Sequence, residues 1–370
     1  MQEVTSMPET RPYIPWDFIH DFMKEAFMLE GIPEADAEIC TDVLMESDRR
    51  GIESHGCNRF KPIYIDRIEQ GILNPVTNIE VLKETPTTLV YDAHDGMGMV
   101  ASHRMMTELI KKAKKYGMAM GAIRNSSHYG IAGYWASMAI NAGMIGVTGT
   151  NARPSIAPTF GAEPLLGTNP LTIGFPTDEP FPFLIDCATS MVQRGKIEYW
   201  AREGKSTPEG LVIGSDGNYM TDSNEILKAL VKGEASLAPI GKYKGYGYAT
   251  VIEVLSAALA QGNYMKMLSG LNPDGSRKPY SLGHFFMVFD PESMMGLEPF
   301  KKTAGEIMRA LRSSKRLDPD QPIYTAGEKE YLAWQERKDK GVPVSETLQK
   351  EFAAVRDRLH MTGYVFPFEK

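Results

Sequence analysis

Hydrophobic residues recur with a helical period over the first 70 positions of the chain. Apolar side chains fall on one face of residues 16–30 and continue at the same spacing through residues 35–49. A third stretch of this kind covers residues 60–70 and stops at Gly71. The pattern therefore predicts that the beginning of the chain is mostly α-helical.

From position 88 onward, short apolar runs alternate with helical stretches. Alternation of this kind is typical of an α/β domain. Strands are predicted at residues 89–91, 119–124, 144–149, 171–175, 183–186 and 283–289. Helices are predicted at residues 102–116, 134–141, 190–203 and 248–261.

After Pro299 the chain becomes helical again and strongly charged. Helices are predicted at residues 301–311, 328–340 and 346–359. A helical beginning and a helical end around an α/β middle predict a discontinuous helical domain. We therefore expect an N-terminal helical part at 1–85, an α/β core at 86–298, and a C-terminal helical part at 299–370 that packs with the N-terminal part. The expected fold class is α/β.

Composition and charge narrow the class of protein further. The hydrophobic share of 42% and the charged share of 24% are those of an ordinary globular protein. A formal charge of -7, without any stripe of Lys or Arg, argues against a nucleic-acid partner. No uncharged run reaches the length of a membrane span, and the first 13 residues lack the layout of a signal peptide. Three distant cysteines form neither a metal-binding spacing nor a disulfide framework, so we expect a cytoplasmic protein without a metal site.

The turn after the second predicted helix combines a hydroxyl, an imidazole and a guanidinium group within a few residues. It reads Gly-Ile-Glu-Ser-His-Gly-Cys-Asn-Arg from Gly51 to Arg59. Histidine exchanges a proton near neutral pH, and the planar fork of arginine matches a carboxylate. Ser54, His55 and Arg59 would therefore suit the reacting end of a 2-oxo or 2-hydroxy acid. An ordinary helix C-terminus, with Gly51 as the stop signal, explains the same residues without any function.

One segment matches the glycine pattern of a Rossmann dinucleotide site. Residues 96–101 read Gly-Met-Gly-Met-Val-Ala between a predicted strand and a helix. Asp92 and Asp95 stand just before it, where they would repel a pyrophosphate. The next strand ends in Arg124 and Asn125, without the acidic residue that holds an adenosine ribose. We therefore do not assign the dinucleotide phosphates to this segment.

Two other junctions in front of helices are better candidates for phosphate binding. In the first, an apolar strand ends at Asp186, small and hydroxyl residues follow, and a helix is predicted from Ser190. The second contains Lys244 and Gly245 and again leads into a helix. Free N–H groups at a helix N-terminus bind anions, so the two junctions together would hold one dinucleotide. A simple capped helix is the alternative for each.

Two more candidates follow predicted strands. His128 stands in a Ser-Ser-His-Tyr-Gly segment, and Arg153 follows the strand at 144–149. Ligands of α/β proteins bind at the carboxyl ends of strands, so the imidazole of His128 and the guanidinium of Arg153 are further candidates for a ligand site. For Arg153 the alternative is a surface arginine. The role of His284, which opens an apolar strand, is left open.

The order of these motifs resembles the type-2 malate/L-lactate dehydrogenase family. That family includes malate, sulfolactate, ureidoglycolate and 2,3-diketogulonate oxidoreductases and imino-acid reductases. The resemblance extends over nearly the whole chain, from about residue 16 to residue 359. The matching motifs are Ser54-His55-Gly56 with Arg59, Ser127-His128-Tyr129-Gly130, Gly167-Thr168-Asn169-Pro170, Asp186-Cys187-Ala188-Thr189-Ser190, Gly195-Lys196, Lys244-Gly245-Tyr246-Gly247 and Gly327-Glu328.

The resemblance implies an oxidoreductase that uses NAD or NADP, has a non-Rossmann cofactor fold and is usually a homodimer. It implies His55 as the proton donor, or His128 as in some members, and it assigns the substrate carboxylate to Ser54 and Arg59. The implied cofactor-binding residues are Asp186, Cys187, Ala188, Thr189, Ser190, Lys196, Lys244, Gly245, Ala326, Gly327 and Glu328. The chain departs from the family pattern near these residues, with Phe160 in place of a glycine and Ala326 in place of a proline.

Residues and resemblance together predict interconversion of a 2-hydroxy acid and a 2-oxo acid. Malate and oxaloacetate are the first choice, because Arg153 would bind a second acidic group. The alternatives are reduction of a cyclic imino acid (piperideine- or pyrroline-2-carboxylate) and dehydrogenation of sulfolactate, lactate or ureidoglycolate. A nucleotide-binding protein without a redox role is the alternative from another class. A metal-dependent hydrolase is disfavoured, because no pair of His or acidic residues has a compact ligand spacing.

Overall fold

The computed structural model describes residues 11–202 and 204–369. Its contacts divide the described chain into two compact units, one taking the residues up to Gln70 and from Lys329 onward, the other Gly71–Glu328. These boundaries differ from the expected ones at 85 and 298. The reason is local: residues 80–84 form a strand of the central sheet, and the helix after position 297 is tied to Asp178 and Glu179 by two arginines.

Helices and strands occupy most of the chain. The helices are α1 (Trp16–Leu29), α2 (Glu34–Arg49), α3 (Asp66–Glu69), α4 (Gly98–Tyr116), α5 (Ala132–Asn141), α6 (Arg194–Arg202), α7 (Ser223–Lys232), α8 (Tyr243–Ala257), α9 (Leu297–Arg312), α10 (Glu328–Arg337) and α11 (Glu346–Arg358). The strands are β1 (Tyr13–Ile14), β2 (Glu80–Glu84), β3 (Thr88–Asp92), β4 (Met118–Ser126), β5 (Ile145–Thr150), β6 (Leu171–Phe175), β7 (Phe183–Cys187), β8 (Val212–Gly214), β9 (Ala235–Leu237), β10 (Leu282–Phe289) and β11 (Val342–Pro343).

The first unit is helical and contains both ends of the chain. Its core is aromatic: the ring of Phe22 on α1 lies 6.0 Å from that of Phe60, 5.6 Å from Phe352 and 5.0 Å from Phe366. Strand β1 pairs with β11. Edge-to-face aromatic pairs of this kind stabilise a core beyond the area they bury, so the two distant segments form one unit.

The helix predicted over residues 60–70 is correct only in its second half. Phe60–Ile65 is a π-helix, and α3 follows it. Pro62 has no N–H to donate and its ring would clash inside a regular α-helix, and the wider π turn accommodates it. The π-helix begins directly after Arg59.

The second unit is built on a seven-stranded mixed sheet with the order β2-β3-β4-β10-β5-β6-β7. Only β3 and β4 run parallel, and the other neighbours are antiparallel. This α/β topology is not the parallel sheet of a Rossmann fold, as expected. Helices α4, α5 and α8 pack on it. The predicted strands are all present, with ends that differ by at most two residues.

Strand β10 reaches the centre of this sheet from far along the chain. It lies between β4 and β5, with His284 opposite Thr150 and Leu282 opposite Ser126. The start of β10 and the carboxyl ends of β4 and β5 therefore meet at one edge. This arrangement places the segments after Ser126 and Thr150 side by side.

A smaller core lies between α6, α7 and the antiparallel pair β8–β9, whose strands are connected through α7. Of these elements only α6 was predicted. The core is formed by Ile197, Val212, Ile226 and Leu237, all buried. The start of α7 did carry a signal in the sequence, because Asp222 caps the N–H groups of Asn224 and Glu225. Among the residues that the structure describes, no helix is both long and apolar enough to cross a membrane.

Candidate active site

The Ser-His-Gly turn lies in the first unit, between α2 and the π-helix. It consists of two short 3-10 turns, Glu53–His55 and Cys57–Arg59. The hydroxyl oxygen of Ser54 lies 2.9 Å from Nδ1 of His55, and Nε of Arg59 donates a hydrogen bond to the carbonyl oxygen of Ser54. The structure therefore brings the three predicted residues of this turn together.

The imidazole of His55 is half-buried and uncharged at neutral pH. Burial lowers its pKa to about 4, and the positive charge of Arg59 adds to that effect. The side chain of Ser54 engages one ring nitrogen. A neutral imidazole beside a guanidinium is able to take a proton from a hydroxyl group on an anionic molecule.

A side chain of α10 binds both the segment that leads into this turn and the first residue of its first 3-10 turn. Arg337 donates to the carbonyl oxygen of Asp48 at 2.9 Å and pairs with Glu53 at 2.5 Å. Glu53 also pairs with Arg11 at 2.9 Å. The turn is therefore anchored at its first residues by two cations.

His128 lies in the second unit, just after β4. Its Nδ1 accepts a hydrogen bond of 3.2 Å from the N–H of Gly130. The neighbouring ring of Tyr129 stacks on His284, with centroids 4.5 Å apart. The turn is thus fixed on both sides of the second candidate donor.

His284 supports the segment that carries His128. It is fully buried, with Nδ1 2.7 Å from the Thr150 hydroxyl and Nε2 2.9 Å from the Ser126 hydroxyl. Burial lowers its pKa to about 3, so the ring stays neutral. Sequence reasoning left the role of His284 open, because its partners are more than a hundred residues away and no local signal pointed to them.

The glycine-rich segment before α4 is tightly packed. The N–H of Gly98 donates to the Ser127 hydroxyl at 2.8 Å, and the N–H of Met97 donates to Thr77 at 3.0 Å. A Cβ on Gly98 would lie 2.2 Å from the carbonyl oxygen of Ser127. The glycine therefore serves close packing between two loops, and these N–H groups already have acceptors.

The carboxylate of Asp186 is engaged inside the second unit. One oxygen accepts the N–H of Gly133 in the first turn of α5 at 2.6 Å, and the other accepts the Thr172 hydroxyl at 2.9 Å. A carboxylate at a helix N-terminus is stabilised by the helix dipole. Asp186 therefore ties the end of β7 to the start of α5.

The helix expected from Ser190 is wrong, since α6 begins only at Arg194. Residues 188–190 instead form a non-helical segment with a bend at Thr189. The N–H of Thr189 donates to Thr168 at 2.9 Å, and Ser190 forms a β-bridge with Pro239. Thr189 and Ser190 pair with other segments of the same chain and do not start a helix, so the predicted helix N-terminus at 190 does not exist. The Ser190 hydroxyl is buried and has no hydrogen-bond partner among the described residues.

The predicted cofactor segments meet around Thr189. Its carbonyl oxygen accepts the N–H of Ile240 at 2.8 Å, and the carbonyl oxygen of Ile240 accepts the N–H of Gly245 at 2.8 Å. A Cβ on Gly245 would lie 2.1 Å from that Ile240 oxygen. Lys244 and Gly245 are in the first turn of α8, which begins five residues earlier than predicted. The structure therefore brings the segment 186–190 and the Lys244-Gly245 pair together.

The third segment lies along β7. The N–H of Leu184 donates to the carbonyl oxygen of Ala326 at 3.2 Å. Gly327 has a φ of 95°, and a Cβ there would lie 2.4 Å from the carbonyl oxygen of Pro182, so only glycine fits. Glu328 accepts the N–H of Thr325 at 3.1 Å. Residues 326 and 327 therefore lie beside β7, the strand that contains Asp186.

Lys196 and Arg153 are two further cationic residues that the sequence assigned to the site. Lys196 lies on α6 with its ammonium 4.8 Å from the ring centre of Tyr199 and 5.6 Å from that of Trp200. Arg153 follows β5 with its side chain exposed. Within the described chain, the guanidinium of Arg153 has no ion-pair or hydrogen-bond partner. The Arg153 loop is held at its neighbour Ala152, whose N–H donates to Asn169 at 3.2 Å.

A protein-family model described as malate/L-lactate dehydrogenase matches residues 14–353. The chain belongs to this family. It is 38% identical over 357 residues to a malate dehydrogenase from Pyrococcus horikoshii, which covers 95% of this chain and 96% of that one. It is 37% identical over 329 residues to an L-sulfolactate dehydrogenase from Methanocaldococcus jannaschii, covering 89% and 92%. A solved malate dehydrogenase from Entamoeba histolytica matches it with a TM-score of 0.91 and 39% identity, covering 95% and 99%.

The family resemblance stated from the motifs is thereby confirmed, and so is the α/β fold. The chain is a 2-hydroxy acid dehydrogenase, and this family implies a nicotinamide cofactor. The residues of the second unit fit such a group. Ser190 offers a buried hydroxyl that has no partner within residues 11–202 and 204–369, Lys244 offers a positive charge, and the glycine at 245 lets backbone segments approach closely.

Proposed function

We propose that the protein interconverts malate and oxaloacetate with NAD or NADP. The observation that carries this proposal is the turn in which a neutral His55 stands beside Arg59 and Ser54. The malate dehydrogenases at 38% and 39% identity support the choice of substrate. When bound, the nicotinamide supplies the redox chemistry at C2 of the acid, and the protein supplies orientation and a proton.

His55 is proposed as the group that exchanges the proton at the C2 oxygen. Because Ser54 engages Nδ1, we assign the exchange to Nε2. In oxidation the neutral imidazole takes the hydroxyl proton, and in reduction the imidazolium returns it to the oxygen at C2. His128 is the alternative donor that the resemblance leaves open.

Arg59 is proposed to bind the C1 carboxylate of the substrate. A bidentate pair with arginine holds the carboxylate in one orientation, which presents C2 to the reaction. A bound carboxylate also offsets the guanidinium charge that depresses the pKa of His55. Substrate binding would therefore raise the pKa of His55 and prepare it to hold a proton.

The cofactor is proposed to lie on the second unit. Three segments would hold it: residues 186–190, the Lys196 and Lys244-Gly245 positions, and residues 326–328. Within the first, Cys187, Ala188 and Thr189 present small side chains, and Ser190 presents its buried hydroxyl. Asp186 would act by fixing this segment on α5.

Ser190→Ala tests this placement. Removing a buried hydroxyl without a protein partner should leave the melting temperature of the cofactor-free protein unchanged or higher. The same change should weaken NADH or NADPH binding by about two- to tenfold, the value of one hydrogen bond of about 0.5–1.5 kcal/mol. Fluorescence titration and thermal unfolding measure the two effects.

Ser102→Ala is the matched control. Its hydroxyl on α4 is also buried without a partner among the described residues, but the proposal gives it no contact with the cofactor. An equal loss of NAD(P)H affinity in both variants, or no loss in Ser190→Ala, would remove Ser190 from the site.

Arg153 is proposed to bind the second acidic group of the substrate. Losing a charge-assisted contact of about 1.5–3 kcal/mol lowers kcat/KM by one to two powers of ten. Arg153→Met should therefore impair oxaloacetate reduction by that factor and leave pyruvate, which lacks a distal acid, nearly unchanged. Steady-state kinetics with both acids measure the difference. Equal losses, or none, would leave the choice of malate without support from the structure.

Sulfolactate is the second candidate substrate. A sulfonate carries the same charge as the distal carboxylate of malate, so Arg153 would bind either group. The relative at 37% identity named L-sulfolactate dehydrogenase supports this alternative. Parallel assays with oxaloacetate and sulfopyruvate separate the two.

We also propose that the protein is a cytoplasmic homodimer. Helix α8 exposes the apolar side chains of Tyr248, Val251 and Val254, and Leu259 is exposed in the 3-10 turn that follows the helix. Exposed apolar faces are common at subunit contacts. The three cysteines are unpaired thiols, which suits a reducing compartment. Light scattering of the purified protein determines its mass in solution and would show a single chain if the dimer is wrong.

A further inference from the structure

A buried carboxyl group lies beneath the peptide that follows His55. It belongs to Asp48 in the last turn of α2, and it is 1% exposed. Its Oδ2 accepts the N–H of Cys57 at 2.7 Å. A Cβ added to Gly56 would lie 2.3 Å from the carboxyl carbon and from both oxygens. The segment from His55 to Cys57 therefore rests directly on this carboxyl group.

Nothing in the end of α2 itself requires an acid at this position. Within residues 11–202 and 204–369, no Lys, Arg or His nitrogen forms an ion pair with the Asp48 carboxylate. Burial raises the pKa of Asp48 to about 7. Hydrogen bonds from Cys57 and the positive charge of Arg337 lower this pKa in part, and the negative charge of Glu53 raises it further. Burying an acid without a cationic partner is costly, so this group is retained at the expense of stability. Costly buried groups of this kind concentrate beside functional residues.

We propose that Asp48 is the positioning residue of the catalytic turn: its carboxyl oxygen holds the Gly56–Cys57 peptide and thereby fixes the direction in which the His55 imidazole leaves the backbone. This inference rests on the proposed role of His55. Asp48 touches neither substrate nor cofactor in this account. Its effect passes through the backbone of the turn, where Gly56 leaves room for the carboxyl group.

Asp48→Ala and Asp48→Asn test the role of the carboxyl oxygen. Asparagine keeps the volume and one acceptor oxygen, whereas alanine removes both. We expect Asp48→Ala to lower kcat for 2-oxo acid reduction by about tenfold or more, the penalty of a misplaced catalytic group, with KM and NAD(P)H affinity within about twofold of the wild type. Asp48→Asn should restore most of kcat. All rates are expressed per bound NAD(P)H, so that a loss of folded protein does not count as a loss of kcat.

Gly56→Ala perturbs the same contact from the other side. Gly363→Ala is its control in the same unit, because a Cβ there meets nothing within 4 Å. Gly56→Ala should lower kcat and Gly363→Ala should not. In the double variant Asp48→Ala/Gly56→Ala the two effects should not multiply, because the added methyl group then meets no carboxyl group. If Asp48→Ala does not fold, the inference is tested with the three remaining single variants, Asp48→Asn, Gly56→Ala and Gly363→Ala.

Each outcome bears on the inference. A wild-type kcat in Asp48→Ala or in Gly56→Ala, or an Asp48→Asn enzyme as slow as Asp48→Ala, overturns it. His55→Ala, assayed alongside, separates this failure from that of the proposed function. If His55→Ala is slow and Asp48→Ala is fast, only the positioning role falls. If His55→Ala is as fast as the wild type, the proposed donor is wrong and the role of Asp48 falls with it.

Discussion

We expect His55→Ala to reduce 2-oxo acids at a rate lower by a factor of about 10² to 10⁴, the contribution of a positioned general acid. The variant should still bind NADH or NADPH, because the segments proposed for the cofactor belong to the other unit. The physical reason is that alanine leaves no group in the turn to protonate the oxygen at C2. Single-turnover reduction monitored by the absorbance of the reduced nicotinamide measures the effect.

His128→Ala and His94→Ala are the controls for this experiment. His128 is the alternative donor, and His94 is an exposed histidine whose Nε2 lies 3.1 Å from a carboxylate oxygen of Glu80. The proposal predicts a much smaller loss in both variants than in His55→Ala. Near-wild-type turnover of His55→Ala, together with an inactive His128→Ala, would transfer the role to His128.

The pH dependence follows from the lowered pKa of His55, which is about 4 in the free protein. Reduction needs the imidazolium, so kcat/KM for the 2-oxo acid should fall as the pH rises above that pKa. Oxidation needs the neutral ring, so kcat/KM for the 2-hydroxy acid should not change with the protonation of His55 above that pH. A bound substrate carboxylate offsets the charge of Arg59, so the pKa of His55 should be higher in the substrate complex than in the free protein. As the pH rises, kcat for reduction should therefore begin to fall at a higher pH than kcat/KM does. A rise of kcat/KM for reduction between about pH 5 and 8 would contradict this assignment.

Gly245→Ala should weaken NADH or NADPH binding by about ten- to hundredfold. The added Cβ would lie 2.1 Å from the carbonyl oxygen of Ile240 and 2.6 Å from its nitrogen, which are backbone atoms and yield little. Overpacking of this kind costs about 1–3 kcal/mol, and 1.4 kcal/mol corresponds to a factor of ten. Since the N–H of Ile240 is bonded to Thr189, any shift of α8 also moves the proposed cofactor segment. Equilibrium titration of each reduced cofactor measures the affinity.

Gly247→Ala provides a closely matched control. It makes the same change two residues later in the same helix, where a Cβ meets nothing within 4 Å. Because alanine favours a helix over glycine by up to about 1 kcal/mol, this variant should be slightly more stable and should bind the cofactor normally. Equal affinities for the two variants would mean that the start of α8 takes no part in cofactor binding.

The fold was predictable from the sequence where one face of an element is buried. The strands at Leu171–Phe175 and Phe183–Cys187 are rich in apolar residues, and the structure has them within one residue of the prediction. By contrast β2, which is exposed along its whole length, shows no apolar pattern and was missed. The contact-based units have other limits than the predicted domains because β2 pairs within the central sheet and α9 forms ion pairs with Asp178 and Glu179.

The contacts within the turn were predictable because its residues are neighbours in the sequence. Ser54, His55 and Arg59 needed only the local turn geometry to meet. The segment after Asp186 was predicted to start a helix, but it bends at Thr189 and pairs with the distant Pro239 instead. The role of His284 depends on partners more than a hundred residues away, so it has no local signal. Asp48 contacts Cys57 only nine residues away, but the pattern of residues does not show this contact, which is visible only in the folded chain.

A substrate panel assayed with NADH and NADPH in parallel tests the central claim most directly. Oxaloacetate, sulfopyruvate, pyruvate and piperideine-2-carboxylate are each supplied to the purified protein, and the decay of reduced-nicotinamide absorbance gives kcat/KM. The account predicts the highest value for oxaloacetate, a lower one for pyruvate, and the loss of both in His55→Ala. A protein that reduces piperideine-2-carboxylate but not oxaloacetate, or that oxidises neither cofactor with any 2-oxo acid, would contradict it.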